Sequence, residues 1–229
     1  CLEPLSKKFK AAINIPVIVA GRIIEPKDGE AILKNQSADF ISVGRALIAD
    51  PHWAAKAIGQ VTAPIRTCIS CNICYERLSL EKDVSCAVNP LVGTEFEKLP
   101  YLEPQLFNQP KVNSELKVLV IGGGVAGFEA ARISASLGYE TEIWEKKEVI
   151  GGQIDLALSA PDKEDVKGVW EYREASVAAR YVSVKTGFAV NQEKIFNFNP
   201  DFIFLATGSS PKTLPNAKNW DVNVFEAWS

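Results

Sequence analysis

Four cysteines with the spacing C-x2-C-x2-C-x11-C constrain this chain more than any other feature of its sequence. Cys68, Cys71 and Cys74 lie within seven residues, and Cys86 closes a loop behind them. Four thiolates at such spacing are typical ligands of an iron–sulfur cluster, and each cysteine can bind a different iron of a [4Fe–4S] cube. Structural zinc also binds four thiolates, although usually through two separated C-x2-C pairs. Disulfides would require an oxidising compartment, which nothing in the sequence indicates.

Composition and charge narrow the classes of protein to which the chain can belong. Its 229 residues allow one large or two small domains, and 47% hydrophobic residues are ample for a core. A net charge of −3 disfavours nucleic acid and anionic membranes as partners. Because no apolar run reaches the length of a membrane span and no signal peptide is visible, we expect a cytoplasmic setting. The chain has no methionine and begins abruptly at Cys1, so we expect a piece of a longer protein.

The first 60 residues are interpreted as two β/α units. Residues 15–20 and 39–45 are short, apolar, β-branched runs, which are typical of strands buried on both faces of a parallel sheet. Pro26 between them fits the first turn of a helix, which completes a βαβ unit. His52, the only histidine, lies at a later helix start and is interpreted as a capping or surface residue. Because His52 is the only histidine, a Ser-His-Asp triad would have to include it, and a metal site with several histidine ligands is excluded.

Both predicted strands end in a Gly-Arg pair, namely Gly21-Arg22 and Gly44-Arg45. Ligands of parallel α/β folds bind at the carboxyl ends of the strands. A glycine there lets the backbone approach a phosphate, and an arginine can donate charge-assisted hydrogen bonds to it. We therefore predict a phosphate site, the alternative being tight turns with solvated arginines. A (β/α)8 barrel takes about 250 residues, so most of its strands would lie outside this chain.

A glycine-rich motif follows a predicted strand at residues 116–121 and opens a helix. The next predicted strand ends at Glu145, which completes the context that a dinucleotide-binding fingerprint requires. The glycines would allow the pyrophosphate to approach the helix N-terminus, and Glu145 would accept hydrogen bonds from ribose hydroxyls, which disfavours an additional 2′-phosphate. A βαβ unit without a ligand is the alternative. The motif glycines are Gly122, Gly124 and Gly127.

The remaining segments show weaker patterns. Residues 61–112 lack periodicity outside the cysteine loop and carry scattered prolines, so we interpret them as a connector between domains. An amphipathic pattern predicts a helix over residues 163–180, with Val166, Val169, Trp170 and Val177 on one face. Two further apolar runs, residues 181–184 and 202–208, are predicted strands.

Together these segments resemble one family, the NADH:flavin oxidoreductases or old yellow enzymes. Val-Ala-Gly-Arg at residues 19–22 and Val-Gly-Arg-Ala-Leu-Ile-Ala-Asp-Pro at residues 43–51 resemble the last two barrel strands. Residues 68–90 resemble the Fe–S loop of the long members, which include 2,4-dienoyl-CoA reductases, 2-enoate reductases and trimethylamine dehydrogenases. Val-Ile-Gly-Gly-Gly-Val-Ala-Gly-Phe-Glu-Ala-Ala from residue 120, with the later Gly-Gly-Gln and Ala-Thr-Gly segments, resembles their FAD- or ADP-binding lobe.

The resemblance implies an α/β fold with three parts: the C-terminal end of a (β/α)8 barrel that binds FMN (residues 1–60), a [4Fe–4S] loop and connector (61–112), and a Rossmann-like nucleotide-binding lobe (113–229). The four cysteines of the loop would ligate the cluster. The residues implied to hold the FMN phosphate are Gly21, Arg22, Gly44 and Arg45. Those implied to line the FAD or ADP site are Gly122, Gly124, Gly127, Glu145 and Gln153, with Thr207 and Gly208 nearby.

The implied activity is electron relay. In a reductase, electrons would pass from NAD(P)H to FAD and through the cluster to FMN, which reduces an activated C=C bond of a small-molecule substrate. In an amine dehydrogenase they would leave FMN through the cluster for an external carrier, and the second nucleotide would be ADP. The C-x2-C-x2-C spacing resembles the amine dehydrogenases, whereas Cys-Ala-Val-Asn-Pro at residues 86–90 resembles the reductases.

Partners follow from the same resemblance. The remaining barrel and an NAD(P)H-binding lobe would belong to the full-length enzyme, a homo-oligomer is possible, and the chain alone would not turn over. A module of a different class also fits the motifs, with zinc in the four-cysteine loop and a nucleotide bound for structure or regulation.

Overall fold

The structure, a computed structural model, describes residues 2–97 and 115–210. Cys1, the end of the connector and the predicted lobe beyond residue 210 lie outside the described residues. Contacts divide the chain into two compact units, Cys1–Lys111 with Asp165–Ala179, and Val112–Glu164 with Arg180–Ser229. The three functional parts inferred from the sequence stay a prediction. In the described part of the chain, no helix has the length and apolar character to cross a membrane.

The first unit contains a two-stranded parallel sheet in which Ile18 lies opposite Phe40. A helix connects the two strands, as the βαβ pattern predicts. The strands are β1 (Ile18–Ala20) and β2 (Phe40–Ser42), and the helices are α1 (Glu3–Ala12), α2 (Pro26–Lys34), α3 (Arg45–Ala49), α4 (Trp53–Ala57) and α5 (Ile73–Ser79). The sequence analysis did not predict α1 or α5.

Local sequence explains the connecting helix α2. Pro26 occupies its first turn, as predicted, and Glu25 and Asp28 form a reciprocal capping box. The Asp28 carboxylate accepts a hydrogen bond of 2.9 Å from the Glu25 backbone N–H. Apolar side chains of this helix and its neighbours then pack against β1. The core they form contains Val19, Ile23, Ile32, Ala38, Ala46 and Trp53.

Burial of both faces of β1 and β2 was a wrong prediction. Val19 is 4% exposed, whereas Ile18 and Phe40, on the opposite face, are 65% and 57% exposed. The core of the unit forms around Val19, whereas Ile18 and Phe40 on the other face are largely uncovered by the described residues. The β-branched composition identified the strands, but it did not indicate how many layers surround them.

The second unit is built on a four-stranded parallel sheet with the order β5-β4-β3-β6. Strand β3, one of the two inner strands, is buried on both faces, since Val118, Leu119 and Val120 are at most 2% exposed. The predicted α/β class with parallel sheets is therefore confirmed. The strands are β3 (Lys117–Ile121), β4 (Glu140–Trp144), β5 (Ser183–Lys185) and β6 (Phe202–Leu205), and the helices α6 (Val125–Leu137), α7 (Ile154–Leu158) and α9 (Gln192–Phe198).

The helix predicted over residues 163–180 is confirmed as a 3-10 turn, Glu164–Val166, followed by α8 (Lys167–Ala178). This helix packs with the first unit, although its neighbours in sequence belong to the second. Its buried face differs from the predicted apolar face, because it contains Tyr172, Arg173 and Ser176 as well as Val177. Polar side chains are accepted there because they have hydrogen-bond partners, as Tyr172 does.

A buried carboxylate connects α3 and α4 to the chain that follows them. Asp50 is 2% exposed. Its carboxylate accepts hydrogen bonds from Lys56 Nζ (2.6 Å) and from the backbone N–H groups of His52 (3.0 Å) and Arg66 (2.8 Å). His52 begins α4 without a side-chain capping bond, so the predicted capping role is not found, and its backbone N–H donates to the Asp50 carboxylate.

Replacement of Asp50 by alanine is expected to lower the free energy of unfolding by about 3–5 kcal/mol, because the Lys56 ammonium would stay buried without its carboxylate partner. Urea denaturation followed by circular dichroism measures this loss. Glu30→Ala is the control, since the Glu30–Lys34 pair is exposed and should contribute at most about 0.5 kcal/mol. Equal losses in the two variants would show that the Asp50 network does not stabilise the unit.

Candidate functional site

One cavity of about 270 Å³ in the first unit is lined by both Gly-Arg pairs and by Cys68, the first cysteine of the four-cysteine loop. Gly21 and Arg22 follow the carboxyl end of β1, and Gly44 and Arg45 follow that of β2. Because β1 and β2 are parallel, these ends meet at the same edge of the sheet. Cys68 reaches the same cavity from the cysteine loop. The structure thus brings together two predicted sites that are separate in the sequence.

The glycines of this cavity serve different purposes. Gly21 has a φ of +116°, and Arg22 after it has a φ of +52°, so the chain turns sharply at the end of β1. Gly44 has an ordinary φ of −107°, and a Cβ added there would meet no atom within 4 Å. Packing within the protein therefore does not require a glycine at position 44. Its missing side chain leaves free space beside the cavity.

Both arginines of the cavity are held by other side chains. Arg22 Nη2 lies 2.8 Å from Asp165 Oδ2, yet its side chain stays 59% exposed. Arg45 Nη1 donates a hydrogen bond to Asn72 Oδ1 in the cysteine loop. One of the predicted phosphate residues, Arg45, is thus joined directly to the loop that carries the predicted cluster ligands.

The four predicted ligand cysteines are free thiols, of which Cys71 is exposed and the others half-buried. Burial raises the pKa of the Cys68 thiol, and the neighbouring Cys86 and Cys71 raise it further. A hydrogen bond from the Ser70 backbone N–H and the charge of Arg45 act in the opposite direction.

Local backbone geometry gives the loop its shape. Ser70 and Asn72 have φ values of +54° and +59°, so the chain reverses between successive cysteines before α5 begins. In residues 2–97 and 115–210, however, no three His, Cys, Asp or Glu side chains are close enough to hold a metal ion. The donor set still fits an iron–sulfur cluster chemically, since it offers four reduced thiols and a backbone N–H directed at one of them.

The glycine-rich motif of the second unit contains two glycines that the fold itself requires. A Cβ on Gly122 would clash with the carbonyl oxygen of Ala206, and Gly122 has a φ of +114°. A Cβ on Gly127 would clash with the carbonyl oxygen of Gly122, so α6 starts in close contact with the turn. These contacts fit the predicted roles of tight turn and helix packing.

Gly124 differs from the other two. A Cβ there would lie 3.6 Å from Gly152 Cα, which is an ordinary van der Waals contact. Its φ is −89°, which any residue adopts, and it occupies the N-cap position of α6. Packing among the described residues therefore does not require Gly124 to be a glycine, and the start of a helix is a place where an anion can bind.

Glu145, which follows β4, is 8% exposed. Its Oε2 accepts a hydrogen bond of 2.6 Å from the Gly123 backbone N–H, and its Oε1 accepts one of 2.8 Å from Lys147. The carboxylate thus holds the glycine-rich turn against β4. Two oxygens carry about four acceptor positions, so capacity for ribose hydroxyls remains.

Gln153, Thr207 and Gly208 are brought to the same side of the sheet. The Gln153 amide donates to Ser209 Oγ over 3.2 Å. The chain after β6 approaches the glycine-rich turn because the Ala206 N–H donates to the Ile121 carbonyl over 2.8 Å. Six of the seven residues predicted for the nucleotide site therefore lie in the loops that follow the strands of this sheet, and the seventh, Gly127, lies in the first turn of α6.

Sequence reasoning missed several residues that shape these sites, namely Arg66, Asn72, Asn89 and Tyr172. Asn72 and Asn89 could have been identified from the sequence, because each lies in or next to a cysteine segment that the motif analysis had selected. Tyr172 was not, since its partner Arg66 is 106 positions away and no local pattern reports such a contact.

Two family models match the chain. Residues 3–63 match the NADH:flavin oxidoreductase / NADH oxidase family, and residues 105–165 match the alanine dehydrogenase/PNT C-terminal domain. The first match covers β1, β2 and the Gly-Arg cavity residues. The second covers the glycine-rich motif and Glu145.

Relatives extend the similarity over nearly the whole chain. An NADH oxidase of Thermoanaerobacter brockii is 40% identical, over 98% of this chain and 34% of its own length. An N,N-dimethylglycine/sarcosine dehydrogenase of Chromohalobacter salexigens is 34% identical, over 90% of this chain and 29% of its own. Among solved structures, a 2-naphthoyl-CoA reductase has a TM-score of 0.86 at 28% identity, over 95% of this chain and 33% of its own.

The chain thus spans about a third of the length of the relatives that it matches. The matched family model and the relatives agree with the resemblance inferred from the motifs, which is confirmed. We conclude that this chain belongs to the NADH:flavin oxidoreductase / NADH oxidase family.

Proposed function

We propose that this chain forms the electron-transfer part of an iron–sulfur flavoprotein oxidoreductase that reduces an activated C=C bond, of the enoate or dienoyl-CoA type. The observation that carries the proposal is the shared cavity, since Gly21, Arg22, Gly44, Arg45 and Cys68 line the same wall. A predicted phosphate-binding edge next to a predicted cysteine ligand would bring FMN and a cluster into the same part of the unit, and electron transfer between them requires that they be near each other. The similarity to a 2-naphthoyl-CoA reductase supports the choice of substrate class.

When bound, FMN, FAD and a [4Fe–4S] cluster would supply hydride and single-electron transfer, which protein side chains cannot perform. The chain's own residues would bind and orient these groups. Arg22 and Arg45 would hold the FMN phosphate by charge-assisted hydrogen bonds, while the open space at Gly44 admits it. Cys68, Cys71, Cys74 and Cys86 would provide the four thiolates.

The second unit would bind FAD, with ADP as the alternative in an amine dehydrogenase. The position of Gly124 at the N-terminus of α6, the space at Gly124 and the carboxylate of Glu145 support an adenine dinucleotide in extended form. NAD(P)H would bind elsewhere in a longer polypeptide, together with the remaining strands of the barrel. The predictions of a cytoplasmic location and of a homo-oligomer apply to that longer protein.

A second function, amine dehydrogenation, is favoured by one specific observation. The C-x2-C-x2-C spacing resembles the amine dehydrogenases, and the chain is similar to an N,N-dimethylglycine/sarcosine dehydrogenase. Full-length protein distinguishes the two functions: a reductase oxidises NAD(P)H when an enoate or enoyl-CoA is added, whereas an amine dehydrogenase reduces an external acceptor when an amine is added.

The cluster is tested by anaerobic purification of the chain. We expect a broad absorption shoulder near roughly 400 nm that dithionite bleaches, with about four irons and four sulfides per chain. Cys86→Ser should lose the absorption and most of the iron because it removes one of the four ligands. Cys1→Ser, a matched cysteine outside the loop, should keep both. A colourless protein with stoichiometric zinc would contradict the proposal and favour the zinc-thiolate module.

The nucleotide site is tested by two glycine substitutions in the same motif. Gly124→Ala should leave the free energy of unfolding within about 0.5 kcal/mol of the original, because the new Cβ has room. It should nevertheless weaken ADP binding, measured by isothermal titration calorimetry, by about tenfold or more, since the methyl group occupies the space of the pyrophosphate.

Gly127→Ala, in contrast to Gly124→Ala, should lower the stability of the protein. Its Cβ clashes with the Gly122 carbonyl oxygen, so we expect a loss of about 1–3 kcal/mol in urea denaturation. Unchanged ADP affinity in Gly124→Ala would mean that no pyrophosphate lies against this turn.

A further inference from the structure

Two short segments, which we call the stems, enter and leave the cysteine loop. The entering stem is Arg66–Thr67, directly before Cys68, and the leaving stem is Val88–Asn89, shortly after Cys86. Both stems are buried, since Arg66 is 3%, Val88 2% and Asn89 1% exposed. Arg66 Nη1 donates a hydrogen bond of 3.0 Å to Asn89 Oδ1, which joins the stems across 23 positions of sequence.

Each stem is also attached to the same corner of the first unit. The backbone N–H of Arg66 donates to the Asp50 carboxylate over 2.8 Å. The Asn89 side chain donates from Nδ2 to the Ile48 carbonyl over 2.9 Å and accepts from the Leu91 backbone N–H at Oδ1 over 3.1 Å. Ile48 and Asp50 belong to α3 and its end, and α3 begins at Arg45 of the cavity. The stems are therefore fixed relative to the predicted phosphate site.

Helix α8 completes this arrangement. The Tyr172 hydroxyl accepts a hydrogen bond of 3.0 Å from Arg66 Nη2. The guanidinium carbon of Arg66 also lies 4.6 Å from the centroid of the Tyr172 ring. A Cβ on Gly168 would clash with Thr67 Oγ1, so the helix backbone lies directly against the entering stem. The same helix thus contacts the stem at two positions about one turn apart.

We propose that Arg66 is a positioning residue for the cluster, which joins the two stems so that Cys86 is held beside Cys68, with Tyr172 of α8 fixing the guanidinium. The proposal deepens the proposed function and rests on it for the identity of the ligand. Cys68, Cys71 and Cys74 are close in sequence, within seven residues of one another. Cys86 is not, and closing the intervening loop costs conformational entropy that the stem contact offsets before any cluster is bound.

The chemistry of arginine suits this position. Its guanidinium presents five N–H donors in a rigid, planar fork, so one side chain reaches Asn89 and Tyr172 at the same time and also stacks on an aromatic ring. A lysine would carry the same charge without this geometry. Arg66→Lys therefore tests the geometry, and Arg66→Met tests the whole interaction.

The first experiment measures iron release from the anaerobically purified full chain to an excess of a ferrous chelator. We expect release about tenfold faster in Arg66→Lys and Arg66→Met, because a buried hydrogen-bonded joint between the stems is lost. Tyr172→Phe, which removes a single hydroxyl, should give a smaller increase of about threefold. Tyr172→Phe also tests the contact between α8 and the entering stem if Arg66→Met does not fold.

Two controls separate positioning from general stability. Arg77→Met replaces a half-buried arginine within the same loop, whose Nε donates a solvent-exposed hydrogen bond to the Asp83 carbonyl. Ile32→Ala opens a cavity in the core of the same unit without removing a hydrogen bond of the stems. At a temperature below all unfolding transitions, both controls should release iron at the rate of the unmodified chain. If Ile32→Ala releases iron as fast as Arg66→Lys, the positioning role is overturned.

A second measurement needs no cluster. In the full chain with Cys1, Cys71 and Cys74 changed to serine, only Cys68 and Cys86 remain, and a thiol oxidant joins them into a disulfide while it is itself reduced. Arg66→Met should slow this intramolecular reaction about tenfold, and Arg77→Met should not. Equal rates would overturn the proposal. If the unmodified chain holds neither iron nor sulfide, the proposed function fails, whereas the oxidation rate still decides whether Arg66 closes the loop.

Discussion

The first unit depends on the buried hydrogen bonds that converge on Asp50. A carboxylate that is 2% exposed must have its charge compensated, and Lys56 together with two backbone N–H groups supplies this compensation. One of these N–H groups belongs to Arg66, so the same carboxylate positions the start of the cysteine loop. The corner between α3 and α4 therefore connects the cavity edge, the loop and the helix α8.

The second unit depends on close backbone contact rather than on charge. Gly122 and Gly127 have no room for a side chain, because carbonyl oxygens occupy the space that a Cβ would need. This contact brings α6 against β3 and directs its N-terminus along the carboxyl edge of the sheet. Gly124, in the same motif, has room for a side chain, which separates the glycines that build the fold from the one whose missing side chain leaves a binding surface.

Much of the fold could be predicted from local patterns. Pro26 located α2, the glycine-rich motif located β3 and α6, and apolar runs located β4 and β6. The exposed face of β1 and β2 was not predicted, since composition reports the tendency to form a strand but not the layers around it. Helix α5 was not predicted, because its seven residues lie inside a loop that was interpreted only through its cysteines.

By itself, the sequence determined the family, the parallel α/β class and the residue types at each candidate site, because spacing within a motif is a local property. Only the tertiary structure decided which of these motifs share a space. The cavity that unites Gly21, Gly44 and Cys68 exists because parallel strands end at a common edge. The contact between Arg66 and Tyr172 exists because α8 packs with the first unit, and side-chain packing between distant segments leaves no periodic trace in the chain.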